Sequence, residues 1–133
     1  MKTVLVFGTF DGLHPGHEYF LREAKKRGDR LVVLLARDAT VEEVKGHLPV
    51  HRELDRRQAL EKSSHVDQVR PGSLEDKFAV LDAIRPDVIC LGYDQEAFTA
   101  ELPQELRRRG LKTEIVRLDS FEPEKYKSSK LRA

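Results

Sequence analysis

Two histidines three positions apart, His14 and His17, stand in the segment Gly8-Thr9-Phe10-Asp11-Gly12-Leu13-His14-Pro15-Gly16-His17. Pro15 suits the first turn of a helix, where its missing N–H would have no partner, so His14 falls at about the cap and His17 one turn on. Both imidazoles then lie near a helix N-terminus and on one side of it. Free backbone N–H groups and the positive end of the helix dipole make that place a cradle for anions. Gly8 permits a tight turn, and Gly16 has no side chain to block an approaching ligand. Fixed imidazole donors would steady phosphate oxygens on which charge grows as an oxyanion attacks the α-phosphorus of a nucleoside triphosphate and pyrophosphate leaves. Neither ring need form a covalent bond. The pair also admits plainer readings: His14 as a cap only, His17 facing the core, or the two as metal ligands still lacking an obvious third.

Such a loop needs a sheet behind it. Thr3 to Phe7, Leu31 to Ala36, Val88 to Leu91 and Ile115 to Leu118 are short runs rich in Val, Ile and Leu without strict alternation, as strands buried on both faces are. Val66-Asp67-Gln68-Val69 is a weaker fifth strand. Helical spacing appears in Phe20, Leu21 and Ala24 before Gly28, in Phe78, Leu81 and Ile84 before Pro86, and in Leu102 and Leu106 before Gly110, with a further short helix over Arg56 to Lys62. Alternating strands and helices imply parallel pairing with right-handed crossovers. The expected architecture is a doubly wound three-layer α/β/α sandwich on a five-stranded parallel sheet, which binds ligands at the carboxyl ends of its strands.

Length and composition bound the rest. With 133 residues, 39% of them hydrophobic, a single domain over 1–133 with one real core is expected. The longest apolar run, Leu31 to Ala36, is far too short to span a bilayer, and Met1-Lys2-Thr3 leads straight into Val4 without a signal-peptide layout. A cytoplasmic protein with no membrane partner is the expectation. Lys plus Arg number 24 against 23 for Asp plus Glu, so no net field points to nucleic acid, and an anion must be gripped locally. Cys90 is the only cysteine, which excludes an internal disulfide framework and any multi-cysteine metal site.

Three further clusters fall near the same edge of the expected sheet. Ala36-Arg37-Asp38 ends the second strand, and Thr40-Val41-Glu42-Glu43 reads as a capping box for a short helix running to Gly46, which would hold Asp38 at the ligand edge. Lys45 lies just before that glycine, either reaching a ligand or on a solvated face. In Leu91-Gly92-Tyr93-Asp94-Gln95, Gly92 lets a ring approach the backbone, while Asp94 and Gln95 could bond a base edge or ribose, or Asp94 could cap a helix. Near the end, Lys127-Ser128-Ser129-Lys130-Leu131-Arg132 offers two hydroxyls among cations, suited to the β- and γ-phosphates, or else a frayed terminus. Phe10, Tyr93, Phe98, Phe121 and Tyr126 could wall a slot for a planar ring or simply fill the core.

The segment Gly8 to His17 resembles the signature of the HxGH nucleotidyltransferase superfamily, in particular its cytidylyltransferase-like branch, which includes glycerol-3-phosphate cytidylyltransferase and archaeal FAD synthetase. Later segments follow that family's order over nearly the whole chain. The resemblance implies a Rossmann-like homodimer, paired around Val66 to Val69, that transfers a nucleotidyl group with Mg²⁺ bound mainly through the triphosphate. It implies that His14 and His17 contact the triphosphate, that Thr9 and Phe10 lend backbone donors between Gly8 and Gly16, and that Lys45 reaches the phosphates or the acceptor. Gly92, Asp94, Gln95, Lys127, Ser128, Ser129 and Arg132 would hold the nucleotide, and Asp11, Asp38, Arg56 and Tyr93 the acceptor; Arg56 matches a family arginine ten residues before Val66-Asp67. Lys127 to Arg132 resembles that family's second signature, and with the sequence ending at Ala133 the tail is expected to order only with nucleotide.

Gly12, Arg37-Asp38, Gly72-Ser73-Leu74 and Leu91-Gly92-Tyr93-Asp94-Gln95 are similar to FAD synthetase segments, and Ser64 stands where the glycerol-3-phosphate enzymes tend to carry a substrate-binding arginine before the Val-Asp pair, which favours ATP and FMN as small-molecule substrates. The expected activity is FMN adenylyltransferase. The alternatives are a CTP-dependent cytidylyltransferase acting on glycerol 3-phosphate or a similar small phosphate, and a nucleotide-binding sensor without turnover.

Overall fold

A computed structural model describes residues 1–93, 95 and 99–119. In chain order these form β1 (Thr3–Gly8), α1 (Pro15–Lys25), β2 (Arg30–Leu35), α2 (Asp38–Lys45), α3 (Glu53–Glu61), β3 (Gln68–Pro71), α4 (Ala79–Ile84), β4 (Val88–Leu91), α5 (Leu102–Arg108) and β5 (Glu114–Arg117). The five strands make one sheet in the order β3-β2-β1-β4-β5, and every pair is parallel. The order reverses between β1 and β4, which is where a Rossmann-like sheet opens a crevice for ligands.

The two-residue period of the strands divides the core. Val4, Val6, Leu31 and Val33 face one side with Leu21, Ala24 and Leu60 from α1 and α3. Leu5, Val32 and Ile89 face the other with Leu81, Leu102 and Leu106 from α4 and α5. Leu5, Leu21 and Leu60 are fully buried, and each such side chain contributes about 1.5–3 kcal/mol by leaving water.

Carboxylates close the amino edge of the sheet. Asp67 accepts from the Leu31 N–H at 2.8 Å, Asp87 from the Thr3 N–H at 2.8 Å, and Asp29 from the Lys2 N–H at 2.7 Å. Gly28 lets the α1–β2 turn pass close to β1, because a Cβ there would sit 2.8 Å from both the Lys2 carbonyl oxygen and Val4 Cγ2.

Three local expectations shift. The strand expected over Val66 to Val69 is β3, which runs from Gln68 to Pro71, because the Asp67 carboxylate is engaged with the Leu31 N–H and with Lys25 before the ladder starts opposite Val32. Val69 is buried, and Val66 packs on the same core. The capping box does not form. Helix α2 starts at Asp38 with Arg37 as its cap residue, Thr40 lies inside the first turn, and Glu43 pairs instead with Lys77 at 2.9 Å. Asp38 at the positive end of the helix dipole favours that earlier start. The helix does end at Gly46, whose φ of 81° is the left-handed conformation that glycine accepts most easily. Helix α3 begins at Glu53, three residues before Arg56. Among the described residues no helix is long and apolar enough to cross a membrane.

Candidate active site

A cavity of about 920 Å³ opens at the carboxyl ends of the strands. The end of β1, the Thr9–Asp11 loop, the first turn of α1, and residues following β2, β3 and β4 all contribute to its wall. Gly8, Thr9, Phe10, Asp11, His14, Gly16, His17, Lys45, Gly92, Tyr93 and Gln95 line it together, although they come from segments up to 87 positions apart in the chain.

His14 is the cap residue of α1, with Pro15 opening the helix. Its Nδ1 accepts from the Gly16 N–H at 3.1 Å, so the neutral ring carries its proton on Nε2, as a donor. The His17 ring stacks on it, with centroids 3.8 Å apart and planes 25° from parallel. Phe10 meets His17 edge-on at 5.4 Å and fixes its other side. The Nδ1 of His17 is buried and has no hydrogen-bond partner among the described residues. Burial holds the His17 pKa below the ordinary imidazole value; charge on His14 and Lys45 adds to this, while the Gly12 carbonyl and Glu18 oppose it. Two stacked imidazoles at a helix start are a donor pair whose mutual repulsion, when both are protonated, a polyanion would relieve.

The loop before them is held from outside the cavity. Phe10 has φ 50° and Gly12 φ 85°; a non-glycine residue in the left-handed region persists only where its surroundings impose it. One oxygen of Asp11 accepts from the Val50 N–H at 2.7 Å, and the other from the His51 N–H at 2.8 Å, with His51 Nδ1 at 2.9 Å from it. Burial raises the Asp11 pKa, but those backbone donors and the His51 ring outweigh it and bring the carboxyl down to about 2. Asp11 therefore organises the loop, and both of its oxygens are engaged.

Arg56 and Asp38 stand behind the wall rather than in it. Arg56 is 2% exposed, and its guanidinium donates to the carbonyls of His51 and Thr9 and to Asp38. The second Asp38 oxygen faces the Glu53 N–H at 3.3 Å. An acceptor-binding role for these two does not match their contacts, which are made within the protein. Lys45, in the last turn of α2, is exposed and lines the cavity.

On the opposite flank, Gly92 and Gln95 close a turn, with the Gln95 N–H on the Gly92 carbonyl at 3.1 Å. The Gln95 amide donates to the Phe7 carbonyl at 2.8 Å and accepts from the Gly92 N–H at 3.2 Å, so it braces β4 against β1. Tyr93 is 60% exposed. Asp94, Phe98, Phe121, Tyr126, Lys127, Ser128, Ser129 and Arg132 lie outside the described residues.

Arg117 and Lys77 escape sequence reasoning, and Arg37, singled out there with Asp38, gains a partner that no local pattern predicts. Arg117 donates to the carbonyls of Gly92 at 2.7 Å and Gln95 at 2.9 Å, and Arg37 donates to Gly72 at 2.7 Å. Lys77 also lines the cavity. Arg117 is the last residue of β5, and that strand-end position is the one signal that could have found it. The apolar wall is made by Phe7, Leu34, Val41, Phe78, Val80 and Leu81, whereas Phe10 packs on His17 and Phe20. Among the described residues no three His, Cys, Asp or Glu side chains gather as metal ligands.

A family model described as cytidylyltransferase-like matches residues 5–133. An FAD synthase from Aciduliprofundum boonei is 46% identical over 91% of this chain and 80% of its own length. One from Ferroglobus placidus is 47% identical over 92% of this chain and 79% of its own. The crystal structure of a lipopolysaccharide core biosynthesis protein from Thermoplasma volcanium, 37% identical, superposes with a TM-score of 0.85 over 92% of this chain and 99% of that one.

Proposed function

Because this chain belongs to the cytidylyltransferase-like family, we propose that it is a nucleotidyltransferase which joins ATP and FMN into FAD with release of pyrophosphate. The observation that carries the chemistry is the stacked pair His14 and His17 at the first turn of α1, where the cavity meets the switch point of the sheet. Relatives 46% and 47% identical that are FAD synthases carry the choice of acceptor.

A phosphate oxygen of FMN attacks the α-phosphorus of ATP. The new P–O bond forms as the bond from the α-phosphorus to the bridging oxygen breaks, and the electron pair leaves with pyrophosphate. His14 Nε2 and the His17 ring donate to oxygens on which charge accumulates, helped by the amide groups at the start of α1. Lys45 supplies a mobile cation for the phosphates. Mg²⁺ would be bound mainly through the triphosphate and would neutralise charge on its oxygens; of the two carboxylates among the described residues that line the cavity, Asp11 has both oxygens engaged by Val50 and His51, which leaves Asp119 within reach of the ion. The apolar wall of Phe7, Leu34, Phe78 and Val80 suits a planar ring better than it suits a glycerol phosphate. Gly92 takes the nucleoside on the other flank.

The reading includes a homodimer, but Val69 is buried and Val66 packs on the core, so in place of the expected Val66 to Val69 the exposed Leu48, Val50 and Leu54 offer the apolar surface for it; sedimentation equilibrium tests it. The activity is tested by incubating the pure protein with ATP or CTP and with FMN or glycerol 3-phosphate, following pyrophosphate and FAD. FAD formed with ATP supports the reading, and turnover with CTP and glycerol 3-phosphate alone overturns it.

A further inference from the structure

A guanidinium is costly to bury unless every donor is matched, so the targets of a buried arginine say what it is for. Arg56 of α3 is 2% exposed, and its three nitrogens reach three separate segments: His51 O at 3.0 Å, Thr9 O at 2.9 Å and Asp38 Oδ1 at 2.7 Å. The Thr9 contact is the informative one. No peptide bond among the described residues is cis, and in a trans peptide the carbonyl oxygen and the amide hydrogen point in opposite directions. Holding the Thr9 oxygen towards α3 therefore turns the Phe10 N–H the other way, to the side on which Phe10 lines the cavity and Arg56 does not. Among the described residues nothing accepts a hydrogen bond from that N–H. The φ of 50° at Phe10 belongs to the same arrangement.

We propose that Arg56 is a positioning residue that aims and polarises the Phe10 N–H as a donor to the phosphate under attack, a role resting on the nucleotidyl transfer proposed above. The charge on the guanidinium draws electron density through the Thr9–Phe10 peptide, which strengthens the N–H as a donor on its far side. The contacts to Asp38 and His51 keep the guanidinium in register without touching substrate.

The test compares Arg56→Lys, which keeps the charge but loses the planar fork, and Arg56→Gln, which keeps an N–H donor without the charge, with Gly28→Ala. Gly28 is remote from the cavity, and its variant serves as a destabilised control. With fold checked by circular dichroism, the expected result is a loss in kcat of about 10- to 100-fold in the arginine variants, with KM for ATP within about twofold, and no loss in Gly28→Ala. The independent readout is the Phe10 amide resonance on addition of the α,β-methylene analogue of ATP, which carries the α-phosphate but cannot release pyrophosphate. It should move downfield in the unaltered protein and by less than half as much in either arginine variant. A kcat equal to that of the Gly28→Ala control, or a Phe10 amide that ignores the α,β-methylene analogue in the unaltered protein, overturns the proposal. Should no triphosphate be turned over, the reaction reading fails on its own, while the amide response still decides the role of Arg56.

Discussion

The imidazoles of His14 and His17 lie face to face, 3.8 Å between centroids, with one ring exposed at the helix cap and the other sandwiched against Phe10. A pair of like bases so close cannot both be charged without cost, and that fact governs their chemistry.

Replacing either histidine with alanine should lower kcat by about 10²- to 10³-fold. The double variant should lose less than the product of the two, because the rings act on the same charge. Steady-state rates of pyrophosphate release check both statements, and a single variant with full turnover removes that ring from the mechanism.

His17 has its pKa depressed from the ordinary 6.5, chiefly by burial. The unfolded chain therefore binds a proton that the folded chain resists, so the stability contributed here is complete above pH 6.5 and falls as pH drops below it. Titration of the ring proton by NMR should show the low midpoint in the free protein and an upward move when pyrophosphate binds.

The Asp11 carboxyl titrates at about 2 instead of 3.8. Its clamp on Val50 and His51 is fully present above the unfolded value and is lost as pH falls through about 2. The amide resonances of those two residues should follow that midpoint, and Asp11→Asn should abolish the transition.

Widening a side chain in the apolar wall tests the place of the acceptor ring. Val80→Trp should raise KM for FMN by about tenfold or more while leaving KM for ATP within twofold, since roughly 1–3 kcal/mol of overpacking would be imposed on one flank only. Equal effects on both substrates would show that the wall is shared.

Gly28→Ala should cost about 1–3 kcal/mol, read as a lowered Tm, because the new Cβ would meet the Lys2 carbonyl at 2.8 Å. The kcat should not change.

How far these features were legible in the sequence follows from their range. Pro15 announces the helix start through a local rule, and His14 is indeed its cap. Val88–Leu91 is a buried strand that composition alone identifies. By contrast, Thr40 and Glu43 carry the right letters for a capping box, but Lys77, 34 positions on, takes Glu43 instead. Asp11 finds its partners about 40 positions later in Val50 and His51, and no local pattern records that. Arg56 looks like any surface cation in a charged helix; only the meeting of three segments around it makes it internal. Distant pairing also explains the shifted third strand, since Asp67 is claimed by Leu31.

The order β3-β2-β1-β4-β5 places β1 in the middle of the sheet. Arg37 and Gly72 belong to one wing, Gly92 and Arg117 to the other, and each pair is tied within its own wing. On the proposed reading, edits to the left wing would retune which phosphate is accepted while the right wing keeps its hold on the nucleoside, with β1 standing between them.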